Sequence, residues 1–373
     1  MQADIIEAVK LDTAAVQKKK ERNYELDFFR IVFSLLVVLY HTGGLSKEVE
    51  KMLPPQLGAG CVHFFFILSG MLMANSIVKR SETQNCAKSS IQFVLNKFKS
   101  FALPYIAAMF IGLTANVLLS GKGLGLRISK IFPELFCLYS SGVWMNNNNM
   151  ATWYLPAMLI CMLPLAYLLY AKRDLTLYVL APLIAVGTLG YMCQENDFRF
   201  LNHTKLYGAL MGGFIKGLCG LCFGICAYTI YIRIKNAKLN RNARILLTFA
   251  EVLLYGIFFF SWFVVRDNKA IMSVMLMLPV PMAISFSGQS YVGKLFRFRW
   301  MKYFAPLSLD IYLNHSAAEK IVENTIPGSS YGMCVKWMTI LTVIFVILNI
   351  LMVKAAKALW NNKLRNWLTK PDA

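Results

Sequence analysis

Apolar runs of about twenty residues alternate along the chain with short stretches that carry the charge. Ten such runs fall at 26–45, 57–78, 100–120, 150–171, 175–193, 208–230, 245–265, 270–288, 303–324 and 334–356. About twenty apolar residues in a helix cross the hydrocarbon core of a bilayer, at 1.5 Å of rise per residue. Inside that core every backbone polar group must be satisfied within its own segment, which a helix does. The pattern predicts an all-α, polytopic integral membrane bundle of about ten transmembrane helices. It divides into an N-terminal tail (1–25), a transmembrane domain (26–356) and a C-terminal tail (357–373). Residues 1–25 are charged throughout and hold no long apolar core, so they do not read as a signal peptide. Phe28–Tyr40 is short enough to resemble one, but nine more spans follow it and it reads as an uncleaved helix. Segment 131–145 is apolar but short, and Asn146–Asn149 follow it; it predicts a re-entrant or interfacial piece ending in a polar turn.

Composition narrows the class. Hydrophobic residues make up 57% and charged residues 16%, against roughly 45–50% and about 25% in soluble domains. A water-soluble globule cannot hide that excess, so a soluble enzyme and a secreted disulfide scaffold are both excluded. The net charge of +20 invites a nucleic-acid reading, and the placement of the basic residues argues against it. With residues 1–25 set on the cytoplasmic side, the inner connections hold 26 Lys and Arg and the outer ones 11. Cytoplasmic connections are enriched in Lys and Arg, so both termini are expected in the cytoplasm, and the charge reads as topology and attraction to the lipid surface. The nine cysteines fall mostly in apolar runs, which suits reduced, packed thiols. Cys219, Cys222 and Cys226 have a metal-like spacing, but they lie among Gly213, Gly217, Gly220 and Gly224, where small residues let helices approach closely. No metal site is expected.

Ionisable residues inside a membrane are costly and are functional candidates by default. The first span holds Arg30 and His41. Eleven residues at about 100° each bring both side chains to one helical face, about 16 Å apart along the axis. A guanidinium grips phosphate bidentately and keeps its charge; an imidazole moves protons near neutral pH. Asp27, three residues before Arg30, can orient it. The plainer alternative is an Arg30 that snorkels to the interface and a His41 that ends a helix.

Glu25-Leu-Asp-Phe-Phe-Arg30 leading to Val37-Val-Leu-Tyr-His41 resembles the opening helix of the membrane acyltransferase family 3 proteins, with its Arg, ten residues, then His. The resemblance continues in Gly60-Cys-Val-His-Phe-Phe-Phe-Ile-Leu-Ser-Gly70, in Thr152-Trp-Tyr-Leu155 and in Ser308-Leu-Asp-Ile-Tyr-Leu-Asn-His315. Two positions depart from the family pattern. Phe101 stands where an Arg is common, leaving Lys97 and Lys99 to take over phosphate contacts, and His63 replaces a frequent Asp, so it is given no role.

The resemblance implies transfer of an acyl group, usually acetyl, from cytoplasmic acyl-CoA to a hydroxyl of a cell-envelope carbohydrate, in a multi-pass protein of the inner membrane. The donor, acetyl-CoA, is a substrate, and no permanently bound cofactor is implied. Arg30, Asp27, Lys97, Lys99 and Ser69 are the expected donor side. His41 is the expected catalytic residue, either as general base or as a covalent acyl carrier. His315 is the second catalytic candidate, with Glu319 one turn beyond it on the same face to fix its tautomer. Ser69 either lines the acyl path or bonds back to its own helix. Trp153 is the candidate acceptor-stacking residue, or else part of an interfacial belt. Lys216 is expected to snorkel outwards, with a sugar or phosphate role as the alternative, and His203 to be solvated in an outer loop. The rival class is a transporter or flippase for an anionic solute or lipid-linked sugar; the two matching halves common in transporters are not evident.

Overall fold

The computed structural model describes residues 23–46, 53–54, 56–80, 85–120, 125, 129, 131–138, 148–298, 301–304 and 306–360. Both expected tails therefore lie largely outside the described residues, as do Asn146 and Asn147. Ten long helices form the bundle: α1 Tyr24–Gly44, α2 Leu57–Val78, α3 Cys86–Ser120, α4 Met150–Ala171, α5 Arg173–Glu195, α6 Gly212–Asn236, α7 Arg241–Val265, α8 Asn268–Ser287, α9 Leu307–Thr325 and α10 Tyr331–Leu359. Among the described residues, all but α9 are long and apolar enough to cross a membrane. The chain is a polytopic helical membrane protein.

Three expectations are corrected. The ninth run is a helix but not an apolar span, because Asp310, Glu319, Lys320 and Glu323 interrupt it. Its middle, from Tyr312 through Ala318, is buried all round, so α9 is a charged helix held inside the bundle, as intramembrane ionisable residues usually are. Helix α3 starts at Cys86 rather than near residue 100, because the polar stretch before the apolar run is itself helical. The short segment after α3 forms a helix at Ile131–Leu135 whose Glu134 is fully buried.

The centre of the bundle is the α2–α6 pair. A Cβ on Gly70 would meet the Leu221 carbonyl, and one on Gly224 would meet the Ile67 carbonyl. Glycine at these positions lets two backbones touch where lipid-like side chains would hold them apart. Phe33 of α1 stacks on Phe64 of α2, ring centroids 4.1 Å apart, and the Ser34 hydroxyl donates to the Ser308 carbonyl at 2.9 Å. Helix α1 is thereby fixed between α2 and α9. Helices α7 and α10 lie outside, with exposed Leu246, Phe249, Val252, Ile344, Ile347 and Leu351 forming the apolar surface that a bilayer would cover.

Candidate active site

One end of the bundle is built from the last turns of α1, the first turns of α2, α4 and α6, and the second half of α9. Here His41 Nδ1 lies 2.9 Å from Glu319 Oε1. A carboxylate only accepts hydrogen bonds, so the contact places the proton of a neutral His41 on Nδ1 and leaves Nε2 with its lone pair. The His315 ring is 4.9 Å from that of His41, centroid to centroid, and His315 Nδ1 donates to the Tyr312 carbonyl at 2.6 Å. Glu319 therefore reaches across to α1 rather than serving His315, which correction follows from the carbonyl already satisfying His315 on its own helix.

His41 and Tyr40 line two cavities. One, of about 240 Å³, is bounded also by Gly58, Val62, Trp153, His203, Lys216, Tyr312 and His315. The other, of about 600 Å³, includes Leu53, Gln56, Arg199 and Glu319. The His41–Glu319 pair thus sits between a smaller chamber walled by aromatic and basic groups and a larger one edged by polar loops.

The smaller chamber contains a group that sequence reasoning placed elsewhere. Lys216 does not snorkel outwards: it is 4% exposed, and its Nζ lies 4.2 Å from the centroid of the Trp153 ring. His203 is not merely solvated. Its ring stacks on Trp153 at 4.6 Å and 19°, and burial, with the charges of Lys216 and His41, pushes its imidazole down to about 3, so it is neutral. Trp153 consequently meets the chamber already partnered by a histidine and a lysine, not as a bare stacking plate. The loop is held there by its backbone: Gly212 and Gly213 donate to the Lys205 and His203 carbonyls, where side chains would collide with the Asn202 carbonyl or crowd His203. Lys216 was visible as a charge inside a span; the stacking of His203 depends on a loop fold that spacing does not encode.

A polar knot supports the Trp153 turn. Glu134 accepts from the Asn149 backbone N–H at 3.1 Å and from the Asn148 amide at 3.0 Å. Asn149 in turn caps the turn at Met150–Trp153 and donates to the Leu313 carbonyl of α9 at 2.7 Å. Lys320 donates to Asn116 and to the Asn148 carbonyl. Asn148 and Asn149 are buried structural groups. Burial pushes the Glu134 carboxyl up to about 7, against the hydrogen bonds from Asn149 and Asn148 and the charge of Lys320, which pull it down.

The remaining donor-side candidates are Arg30 and Asp27, three turns before His41 on α1, Ser69 on α2, and Lys97 and Lys99 on α3. Arg30 pairs with Asp27 at 3.5 Å, and its charge is felt by Lys97 and by Tyr154. Ser69 bonds to the Tyr154 hydroxyl at 2.9 Å, across to α4 rather than back to its own helix. The Tyr154 ring meets Tyr312 edge-on at 5.8 Å, and Tyr312 borders the small chamber. Arg30, Asp27, Lys97 and Ser69 are thus brought to one side of the bundle. Lys99 is not: two residues on from Lys97, it falls on another helical face and is exposed.

A family model described as an acyltransferase domain, acyltransferase family 3, matches residues 23–354. The chain belongs to acyltransferase family 3. The match runs from the cap of α1 into α10, so every helix that builds the His41 and Arg30 groups lies inside the acyltransferase domain. No curated protein and no solved structure matches the chain. This acyltransferase is therefore a multi-pass membrane enzyme.

Proposed function

We propose that this membrane acyltransferase moves an acetyl group from cytoplasmic acetyl-CoA to a hydroxyl of a cell-envelope or exopolysaccharide carbohydrate, and that it resides in the inner membrane. The observation that carries the reading is the His41–Glu319 pair, 2.9 Å apart and shared between two cavities. Glu319 holds Nδ1 of His41 protonated, so Nε2 is the base. The acceptor oxygen attacks the thioester carbonyl carbon while its proton passes to Nε2. The tetrahedral adduct collapses, the C–S bond breaks, and the CoA sulfur takes that proton back from Nε2. A covalent acyl-histidine would use the same nitrogen and release CoA before the hydroxyl arrives. His315, its Nδ1–H committed to Tyr312, offers a lone pair that accepts a hydrogen bond from an acceptor hydroxyl. Arg30, oriented by Asp27, together with Lys97, meets the donor phosphates or pantetheine, and the extended arm covers the distance to His41. Ser69 and Tyr154 flank that path.

The test is transfer of radiolabelled acetyl from acetyl-CoA to envelope glycan in membranes carrying the protein. Removing a general base costs about 10²–10⁴-fold, so His41→Ala is expected to fall at least 10²-fold at equal expression. Glu319→Gln, which keeps the shape and removes the charge that fixes the tautomer, is expected to lose kcat with little change in donor binding. Near-normal transfer in His41→Ala would sink the scheme. Net solute movement without glycan acetylation would replace it with transport.

A further inference from the structure

Among the described residues, Lys216 is a buried lysine without a counter-ion. It is 4% exposed and borders the small chamber beside His41 and His315. Among the described residues its ammonium makes no hydrogen bond or ion pair; the Trp153 ring is what it rests on. A cation–π contact offsets only part of the cost of taking an ammonium out of water. The other groups close enough to feel its charge are the imidazoles of His203 and His63, which bring no negative charge. The nearest catalytic carboxylate, Glu319, is engaged by His41 and borders the other chamber. Lys216 also stands one turn into α6, whose N-terminal end adds positive potential at the same place. Among the described residues, the groups around the Lys216 ammonium at this end of the chamber are positive or neutral, and none supplies a negative charge to it.

We infer that Lys216 is the anchor of an anion subsite, so that the acceptor is an acidic sugar whose carboxylate or phosphate pairs with the Lys216 ammonium while a hydroxyl of the same residue lies at His41. The inference rests on the proposed acyl transfer for its meaning, but binding can be read without it. The chamber's 240 Å³ is just below the roughly 300–1,000 Å³ of sites for drug-sized ligands, which suits one sugar residue. Trp153 and His203, stacked on each other, border the chamber beside Lys216, so a sugar bound there meets aromatic groups next to its charge. Specificity would come from the subsite's own asymmetry: a neutral sugar leaves the ammonium as poorly paired as before, whereas an acidic one completes it.

The experiment uses the purified full-length protein in nanodiscs, without donor, and measures calorimetric affinity for three probes. These are methyl β-D-glucoside, methyl β-D-glucuronide and methyl β-D-glucoside 6-phosphate. The expected result is at least tenfold tighter binding of one or both acidic probes than of the neutral one. The arm that wins tells carboxylate from phosphate. In Lys216→Met the ratio should fall to about one, and in Lys216→Arg most of it should remain, because the charge is kept; melting curves of both variants check the fold. Equal affinity for neutral and acidic probes in the unaltered protein overturns the inference, as does failure of it to bind either acidic probe. So does a preference that survives in Lys216→Met. Loss of acetyl transfer in His41→Ala is a separate measurement, so the anion subsite can fail while acyl transfer stands, and the reverse.

Discussion

Two residues on one face of α1, His41 and Arg30, have different surroundings, and the proposed scheme divides the work between them accordingly. His41 meets a carboxylate, a second imidazole and two cavities. Arg30 is more than a third exposed on its side chain, held by Asp27 on its own helix, and electrostatically close to Lys97. At about 16 Å along the axis, Arg30 cannot touch a carbonyl that reacts at His41, so its part in the proposed scheme is to hold the donor. A guanidinium forks onto phosphate where an ammonium offers a point charge. CoA affinity of the purified protein is therefore expected to fall clearly in Arg30→Ala and partly in Arg30→Lys, and to stay near normal in His41→Ala. Unchanged affinity in both Arg30 variants would reduce Arg30 to a snorkelling interfacial residue. Because breaking the Asp27 pair can also lower stability, each affinity is read beside a melting curve.

At the level of elements, apolar run length made the helices legible: each of the ten expected spans overlaps a helix. Polarity at helix ends and inside helices was harder to place. The stretch before residue 100 is polar enough to pass for a connection yet continues α3, and α9 is interrupted by charges yet packs inside. The Arg30–Asp27 contact was visible because spacing along one helix is geometry in itself. Glu319 was visible as a candidate but not its partner, because its choice of His41 over His315 is made between helices. The Glu134 knot was not visible at all, since it joins a short helix, an asparagine turn and α9 across 14 to 172 residues of sequence. That knot makes a pH prediction. In the unfolded chain Glu134 loses its proton near 4.5, and in the folded protein near 7. Between those values the folded state holds the extra proton, so raising the pH across the window favours unfolding. The melting temperature of the unaltered protein in detergent, relative to Glu134→Gln, is expected to fall from pH 5 to pH 7.5 and to level off above. A difference that is flat or rises over that range would show the carboxyl ionised throughout.

The whole molecule sets two chemistries at two ends. The proposed donor group lies toward the start of α1, and both cavities open from the loops that close the bundle at the end of α1. The charge pattern carries the expectation for their sides: with 26 Lys and Arg in one set of connections against 11 in the other, the start of α1 is expected to face the cytoplasm. If so, CoA enters from the compartment that makes it, the acceptor enters from the opposite face, and only the acyl group crosses the barrier between them. The arrangement is testable without any substrate. In sealed cells, a membrane-impermeant maleimide should label Lys205→Cys, in the exposed hairpin beside the His203 loop, and should miss Lys238→Cys, in the connection between α6 and α7, until the cells are opened. The native thiols at Cys61, Cys161, Cys219, Cys222 and Cys334 are buried, and the unaltered protein gives the background from the rest. Labelling of Lys238→Cys from outside, with protection of Lys205→Cys, would invert the bundle. Arg30 would then face a compartment without CoA, and the division of donor and acceptor between the two ends would fail even if His41 and Glu319 still formed their pair.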